Sequence, residues 1–191
     1  MPFPTDPAGR HRAIAGTFTE RARGVSNWGV TAPVNGWTAR DVVRHLVEWF
    51  PGFLEVGAGV ALPPGPSVDD DPVGAWTSQA DAIQALLDDP ATQTTMLENP
   101  HIGSVPLPQA IDQFYTGDVF MHTWDLARAS GQPDRLDAEF AGVMLSGMQD
   151  FDEVLRTSGQ YGPRVEVPDS ADITDKLMGF IGRDPSWTPP A

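Results

Sequence analysis

Apolar residues recur at helical spacing along most of the chain. Between positions 6 and 25, Ile14, Phe18, Ala22 and Val25 follow at intervals of four, four and three, one face of a helix. Residues 26–36 hold Gly29, Pro33 and Gly36 and read as a loop. A second helix starts sharply at Thr38, which forms a capping-box pattern with Asp41 three residues on. Its apolar stripe is Val42, Leu46, Trp49 and Phe53; Pro51 falls inside the pattern and is expected to kink the helix or end its first part. Residues 61–71, proline-rich and closing on Asp69, Asp70 and Asp71, read as a surface loop. Asp71-Pro72 then supplies the cap and first position of a third helix carrying Val73, Trp76, Ala80, Ile83 and Leu87.

Two short apolar pieces flank Asn99-Pro100-His101 within residues 94–106, the pattern of a small hairpin. A fourth helix is expected to run unbroken from near Pro108 to Ser130, with Gly131 just past its end. A fifth covers 136–157, with Phe140, Val143, Gly147, Phe151 and Val154 inward. The tail adds a short extended piece at 164–167 and a short helix over 171–181. The pattern predicts an all-α domain. Residues 1–160 would form a four-helix bundle with additional short helices, and 161–191 a small C-terminal extension packed on it. The loops are not all short, so the order of the helices around the bundle stays open.

Composition narrows the function classes. The 191 residues include 12 basic and 26 acidic side chains, a net charge of −14, and no cysteine. Without cysteine there are no disulfides, thiolate metal sites, iron–sulfur clusters or cysteine nucleophile. The negative charge argues against nucleic acid or an anionic membrane surface as partner. No secretory signal pattern and no apolar run of about 20 residues is visible, so a soluble cytoplasmic protein is expected. No Gly-x-Ser-x-Gly, Walker loop, Gly-x-Gly-x-x-Gly or His-Glu-x-x-His motif occurs.

The fourth helix carries the candidate chemistry. One stripe reads Leu107, Ile111, Tyr115, Asp118, His122, Asp125 and Ala129, with Asp112, Thr116, Thr123 and Ser130 on the polar side. At roughly 100° per residue, Asp118 and His122 lie about 40° apart, and all three ionisable positions of the stripe point into the bundle. Unpaired buried carboxylates are costly. The chain has a single lysine, Lys176, and Arg128 and Arg135 project elsewhere or lie past the helix end, so a bound divalent cation would compensate the two acids.

His45 supplies a further donor, at the edge of the second helix's stripe between Val42 and Trp49. Together His45, Asp118 and His122 make a three-ligand set that suits Zn²⁺ or a similar ion and leaves an open position. Asp125 reads either as an acceptor for a ligand's imidazole N–H or as an anchor for a neighbouring helix through Arg40 or Arg44. A histidine placed like His45 also fits a hydrogen-bonded core residue. His11 reads as solvated, and His101 lies in a turn.

These residues also carry a family resemblance. NGWTARDVVRHLVEW (35–49) and GDVFMHTWDLARASG (117–131) resemble the mycothiol-dependent maleylpyruvate isomerase-like group of the DinB/YfiT-like superfamily of metal-binding four-helix bundles. The tail YGPRVEVPDSADITDKLMGFIGRDPSW (161–187) resembles a short, single-domain subgroup of it. The resemblance implies metal ligands at His45, Asp118 and His122, a functional acid at Asp125, and Zn²⁺, with Ni²⁺ or another divalent ion as alternatives. It implies a low-molecular-weight thiol, mycothiol, as cosubstrate, in a thiol S-transferase or thiol-dependent isomerase acting on a small electrophile.

Two departures bear on the reaction. The isomerase has Glu where this chain has Asp118, and it has a separate C-terminal domain that supplies an arginine to its site; here Arg164 or Arg183 is the available substitute. A non-catalytic metal or small-ligand binding protein, and a hydrolase using metal-activated water, are the alternatives on the same bundle. The expected assembly is a monomer or homodimer.

Overall fold

In the computed structural model, which describes residues 3–157 and 159–190, Asp6 caps the first helix, α1 (Pro7–Arg23), by accepting a hydrogen bond from the Gly9 amide. Helix α2 (Ala39–Ala58) opens with the full capping box: Thr38 accepts from the Asp41 amide while Asp41 accepts from the Thr38 amide. It runs through Pro51 without a break, which excludes an early end there. Helix α3 (Pro72–Asp88) has Asp71 as its cap and Pro72 at its first position. After a 3₁₀ turn, Pro90–Thr94, the expected hairpin forms from β1 (Met96–Asn99) and β2 (Gly103–Pro106), antiparallel, with Leu97 opposite Val105.

The next rod departs from expectation. Residues read as one regular helix are α4 (Leu107–Ala110), a π-helical stretch over Ile111–Thr116, and α5 (Gly117–Ser130), which ends on Gly131 at φ 67°. Widening to i→i+5 bonding starts a new register at Gly117, just after the buried Tyr115 and Thr116. Nor does α5 have a polar side: Thr116 and Thr123 are buried along with Met121 and Trp124. The helices α1, α3, α2 and α5 pack in a ring in that order, and Phe140 and the segment after residue 182 pack on α5 from outside, so α5 is enclosed rather than amphipathic. The fold is predominantly helical, with one small sheet among the described residues. No helix among them is long and apolar enough to cross a membrane.

The fifth predicted helix is two, α6 (Ala138–Gln149) and α7 (Asp152–Thr157), and it packs on a different face. Ala141 and Leu145 are buried and Phe140 packs inward against Phe120 as expected, whereas Val143, Phe151 and Val154 are exposed and Gly147 faces solvent. Helix α8 (Ile173–Phe180), near the expected position, packs against α6. Phe180 lies beneath the guanidinium groups of Arg156 and Arg164, at 4.8 and 4.5 Å, and both arginines pair with Asp152. The piece at 164–167 forms no strand, although the Val165 amide bonds to the Gly179 carbonyl.

His11 corrects a further expectation. It is fully buried inside the ring, its Nδ1 3.0 Å from Thr116 Oγ1. Burial pulls its pKa from 6.5 down to about 4, against a smaller upward pull from the Ala80 carbonyl. The folded state therefore favours neutral His11; that stability is complete above pH 6.5 and is lost as the pH falls toward 4. Urea unfolding at pH 7 and pH 4.5 should show about 2–3 kcal/mol less of this acid-linked loss in His11→Gln than in wild type. Equal losses in the two proteins would mean that His11 is not buried neutral.

Candidate metal centre

Two helix faces build the site. On α2, His45 and Trp49 are four residues apart and share the face turned to α5. On α5, Asp118 and His122 have the same spacing. Between them, His45 Nε2 lies 3.0 Å from Asp118 Oδ2, and His122 Nε2 lies 3.4 Å from Asp118 Oδ1. One donor atom from each of His45, Asp118 and His122 falls within 4.8 Å of the other two. The sequence stripe thus comes together in space as a three-donor group of two imidazoles and a carboxylate.

Burial is graded across the group. The side chain of His45 is 32% exposed, Asp118 18% and His122 6%, so the site opens on the α2 side and closes inward. Asp125 is fully buried behind it, accepting from His122 Nδ1 at 2.8 Å. That bond places a proton on Nδ1 and turns Nε2 toward Asp118. Burial would lower the pKa of His122, but Asp118 first and Asp125 second raise it to about 9. Burial would raise Asp118, but the charge and hydrogen bond of His122, then His45, hold it below the ordinary carboxylate range.

Asp125 has a cation of its own. Arg183 Nε reaches Asp125 Oδ1 at 3.0 Å, and its Nη2 reaches Oδ2 at 3.2 Å. Against the cost of burial, Arg183 and then His122 keep the Asp125 carboxyl below its usual range. Arg183 follows α8 and is aimed by Gly182, which sits at φ 88° with the Gly162 backbone 3.0 Å from where a Cβ would be. The acid therefore anchors a neighbouring segment, as one reading of the sequence allowed, but through Arg183. Arg40 and Arg44 pair with Asp69, Arg164 pairs with Asp152, and His101 stays exposed in the hairpin turn.

Aromatic rings wall the donor group. Trp37 stacks on His122 at 5.7 Å and tilts against His45 at 5.1 Å. It is held there by a short loop closed by the Thr31–Thr38 bridge, with Gly36 at φ 78° in its turn. Trp49 donates its indole N–H to Asp118 Oδ2 at 3.1 Å. Burial pushes the Tyr161 hydroxyl up to about 12, with the negative charge of Asp118 adding to the shift. A cavity of about 360 Å³ opens at His45 between Trp37, Asp41, Arg44 and Glu48. Arg44 and Glu48 separate it from a second cavity of about 330 Å³ under the proline-rich loop.

The donor set fits a borderline divalent cation. It offers two imidazole nitrogens and one carboxylate, it has an open side, and one imidazole is oriented by a carboxylate behind it. Of the two arginines that the resemblance left as substitutes, Arg183 lies behind the donor group on Asp125 and Arg164 pairs with Asp152, whereas the two tryptophans were not placed at the site by the sequence reading. Trp49 had a legible signal, since it stands four residues after His45 on the same helix. Arg183 comes from another part of the chain, and no local spacing reveals it.

No family model matches the chain, and no solved structure matches it. Two curated relatives, from two strains of Mycobacterium tuberculosis, are each 28% identical to it over 183 residues, covering 93% of this chain and 98% of their own. Both are described as uncharacterized proteins.

Proposed function

We propose that the chain is a DinB-like helical bundle that binds a divalent cation, Zn²⁺ in the first instance, through His45, Asp118 and His122 and uses a low-molecular-weight thiol against a small electrophile. The observation that carries the reading is the meeting of three donors from two helices within 4.8 Å, beside a cavity that reaches His45. Such an ion supplies a positive charge that lowers the pKa of a thiol reaching it.

The chain's own residues divide the remaining work. His45, Asp118 and His122 bind. Asp125 holds the Nδ1 proton of His122 and so keeps Nε2 available; fully buried, it acts through His122 and not on a substrate. Arg183 keeps Asp125 ionised. Trp37 covers His122 and restricts water on that side. The resemblance implies a functional acid at Asp125; its full burial favours orienting His122 over exchanging a proton with a substrate.

The test uses Co²⁺ as a coloured substitute for Zn²⁺. Adding mycothiol to the Co²⁺-loaded protein should produce a thiolate-to-cobalt absorption band and a calorimetric heat with the same midpoint. Both should be absent in His45→Ala. Cobalt uptake with no band and no heat at millimolar thiol would reject the thiol and leave water as the nucleophile to examine.

A further inference from the structure

Trp49 is more than an apolar member of the α2 stripe. Its indole nitrogen carries a proton and no lone pair, so it donates and can never ligate. That proton goes to Asp118 Oδ2 at 3.1 Å, the same oxygen that His45 Nε2 approaches at 3.0 Å. The other oxygen, Oδ1, faces His122 Nε2 at 3.4 Å. The two donors on Oδ2 differ in kind. When His45 acts as a ligand its Nε2 must present a lone pair, and it then no longer donates to the carboxylate. The indole remains the fixed donor on Oδ2, because its ring is wedged against Phe50 at 5.0 Å and Phe53 at 5.7 Å.

We propose that Trp49 is the positioning residue of the metal centre: its indole N–H pins Asp118 Oδ2 and presents Oδ1 toward His122 as the coordinating oxygen. Aspartate rather than glutamate at 118 suits this arrangement, since the shorter side chain has fewer torsions and a single fixed donor is enough to orient it. The inference rests on the proposed metal binding and adds to it which oxygen is offered and what holds it.

The experiment compares Trp49→Phe with wild type. Phenylalanine keeps much of the ring and removes the N–H. Zn²⁺ and Co²⁺ affinities are measured by competition with a chromophoric chelator, and metal-free Tm by calorimetry. The expected result is an affinity loss of about 10–100-fold, the range found when outer hydrogen-bond partners of ligands are removed, with a shifted Co²⁺ spectrum. A structural role alone predicts a lower metal-free Tm with unchanged affinity and spectrum, and that outcome overturns the proposal.

Should Trp49→Phe fail to fold, the wild-type protein still decides the matter by NMR. The Trp49 indole N–H signal should be protected from solvent exchange both before and after Zn²⁺ loading, and loss of its protection on loading overturns the proposal. Wild type that takes up no metal defeats the proposed function itself. Wild type that binds, with Trp49→Phe binding equally well and an unchanged spectrum, defeats only this inference.

Discussion

Replacing His122 with alanine should lower Zn²⁺ affinity by about two orders of magnitude and change how the metal-free protein responds to pH. The first effect follows from donor count. Zinc binding by small closed sites is worth about 10–16 kcal/mol, so one of three or four ligands carries about 3 kcal/mol, close to a hundredfold. His122 is also the best oriented donor of the three, with Asp125 behind it and Trp37 stacked on its face.

The second effect follows from its proton. In the metal-free protein the His122 pKa is raised to about 9 by two carboxylates, against the pull of burial. A raised pKa contributes stability that is complete below the unfolded value of 6.5 and is lost as the pH rises through 9. Wild type should therefore lose stability between pH 6.5 and 9, and His122→Ala should lack that slope. Metal must displace the same proton, so wild-type affinity should climb over the same window. Competition titrations and urea unfolding at pH 6.5, 7.5 and 9 read both. An affinity within twofold of wild type in His122→Ala would remove the three-donor site from consideration.

The site was legible where it depended on helical phase. His45 on α2 and the pair Asp118 and His122 on α5 each sit on a face that spacing alone defines, and two packed helices bring such faces together. What spacing could not show was enclosure. The supposed polar side of the rod contains Thr116 and Thr123, and small hydroxyl side chains find partners in the interior: Thr123 bonds to the Val119 carbonyl at 2.7 Å, and Thr116 pairs with His11. They can therefore be buried as readily as alanine. The π-helical stretch was equally hidden, because the stripe Leu107, Ile111 and Tyr115 fits regular spacing as well as it fits the widened turn.

The fifth helix failed for a related reason. Residues 138–157 hold two apolar stripes side by side: Phe140, Val143, Gly147 and Phe151 on one, Ala141, Met144, Leu145 and Met148 on the other. Periodicity ranks them alike. Packing against α8 selects the second; of the first, Phe140 stays inward against Phe120, while Val143 and Phe151, with Val154, are left exposed. His11 was misread because it follows Arg10 near the start of the first helix. Arg10 instead folds over Phe140 to a part-buried pair with Asp112 and Arg12 reaches outward to Asp88, leaving the imidazole between them to point inward.

Arg183→Met should destabilise the metal-free protein by about 3–5 kcal/mol, the largest effect expected of a residue outside the donor set. The argument starts from Asp125, which has no exposed surface. A cation beneath the bundle was the sequence-based answer to two inward carboxylates, but the structure gives Asp125 a separate one. Its oxygens are met by Arg183 Nε and Nη2 and by His122 Nδ1. Methionine keeps the length and apolar stem of the arginine and removes its charge and donors, so the variant leaves a buried carboxylate with half its compensation.

At 2–4 °C per kcal/mol for a chain of this size, Tm should fall by roughly 10 °C. The pH response fixes the cause. The depressed pKa of Asp125 gives stability that is present above the ordinary carboxyl value of 3.8 and lost as the pH falls below it. Without Arg183 the carboxyl takes up its proton at higher pH, so the deficit of the variant should shrink on acidification from pH 7 to pH 5. Adding Asp125→Asn to Arg183→Met should recover much of the loss, since an amide needs no countercharge. A melting temperature within 1 °C of wild type would mean that the segment after α8 does not hold Asp125 in solution, and Asp125 would then need the bound cation after all.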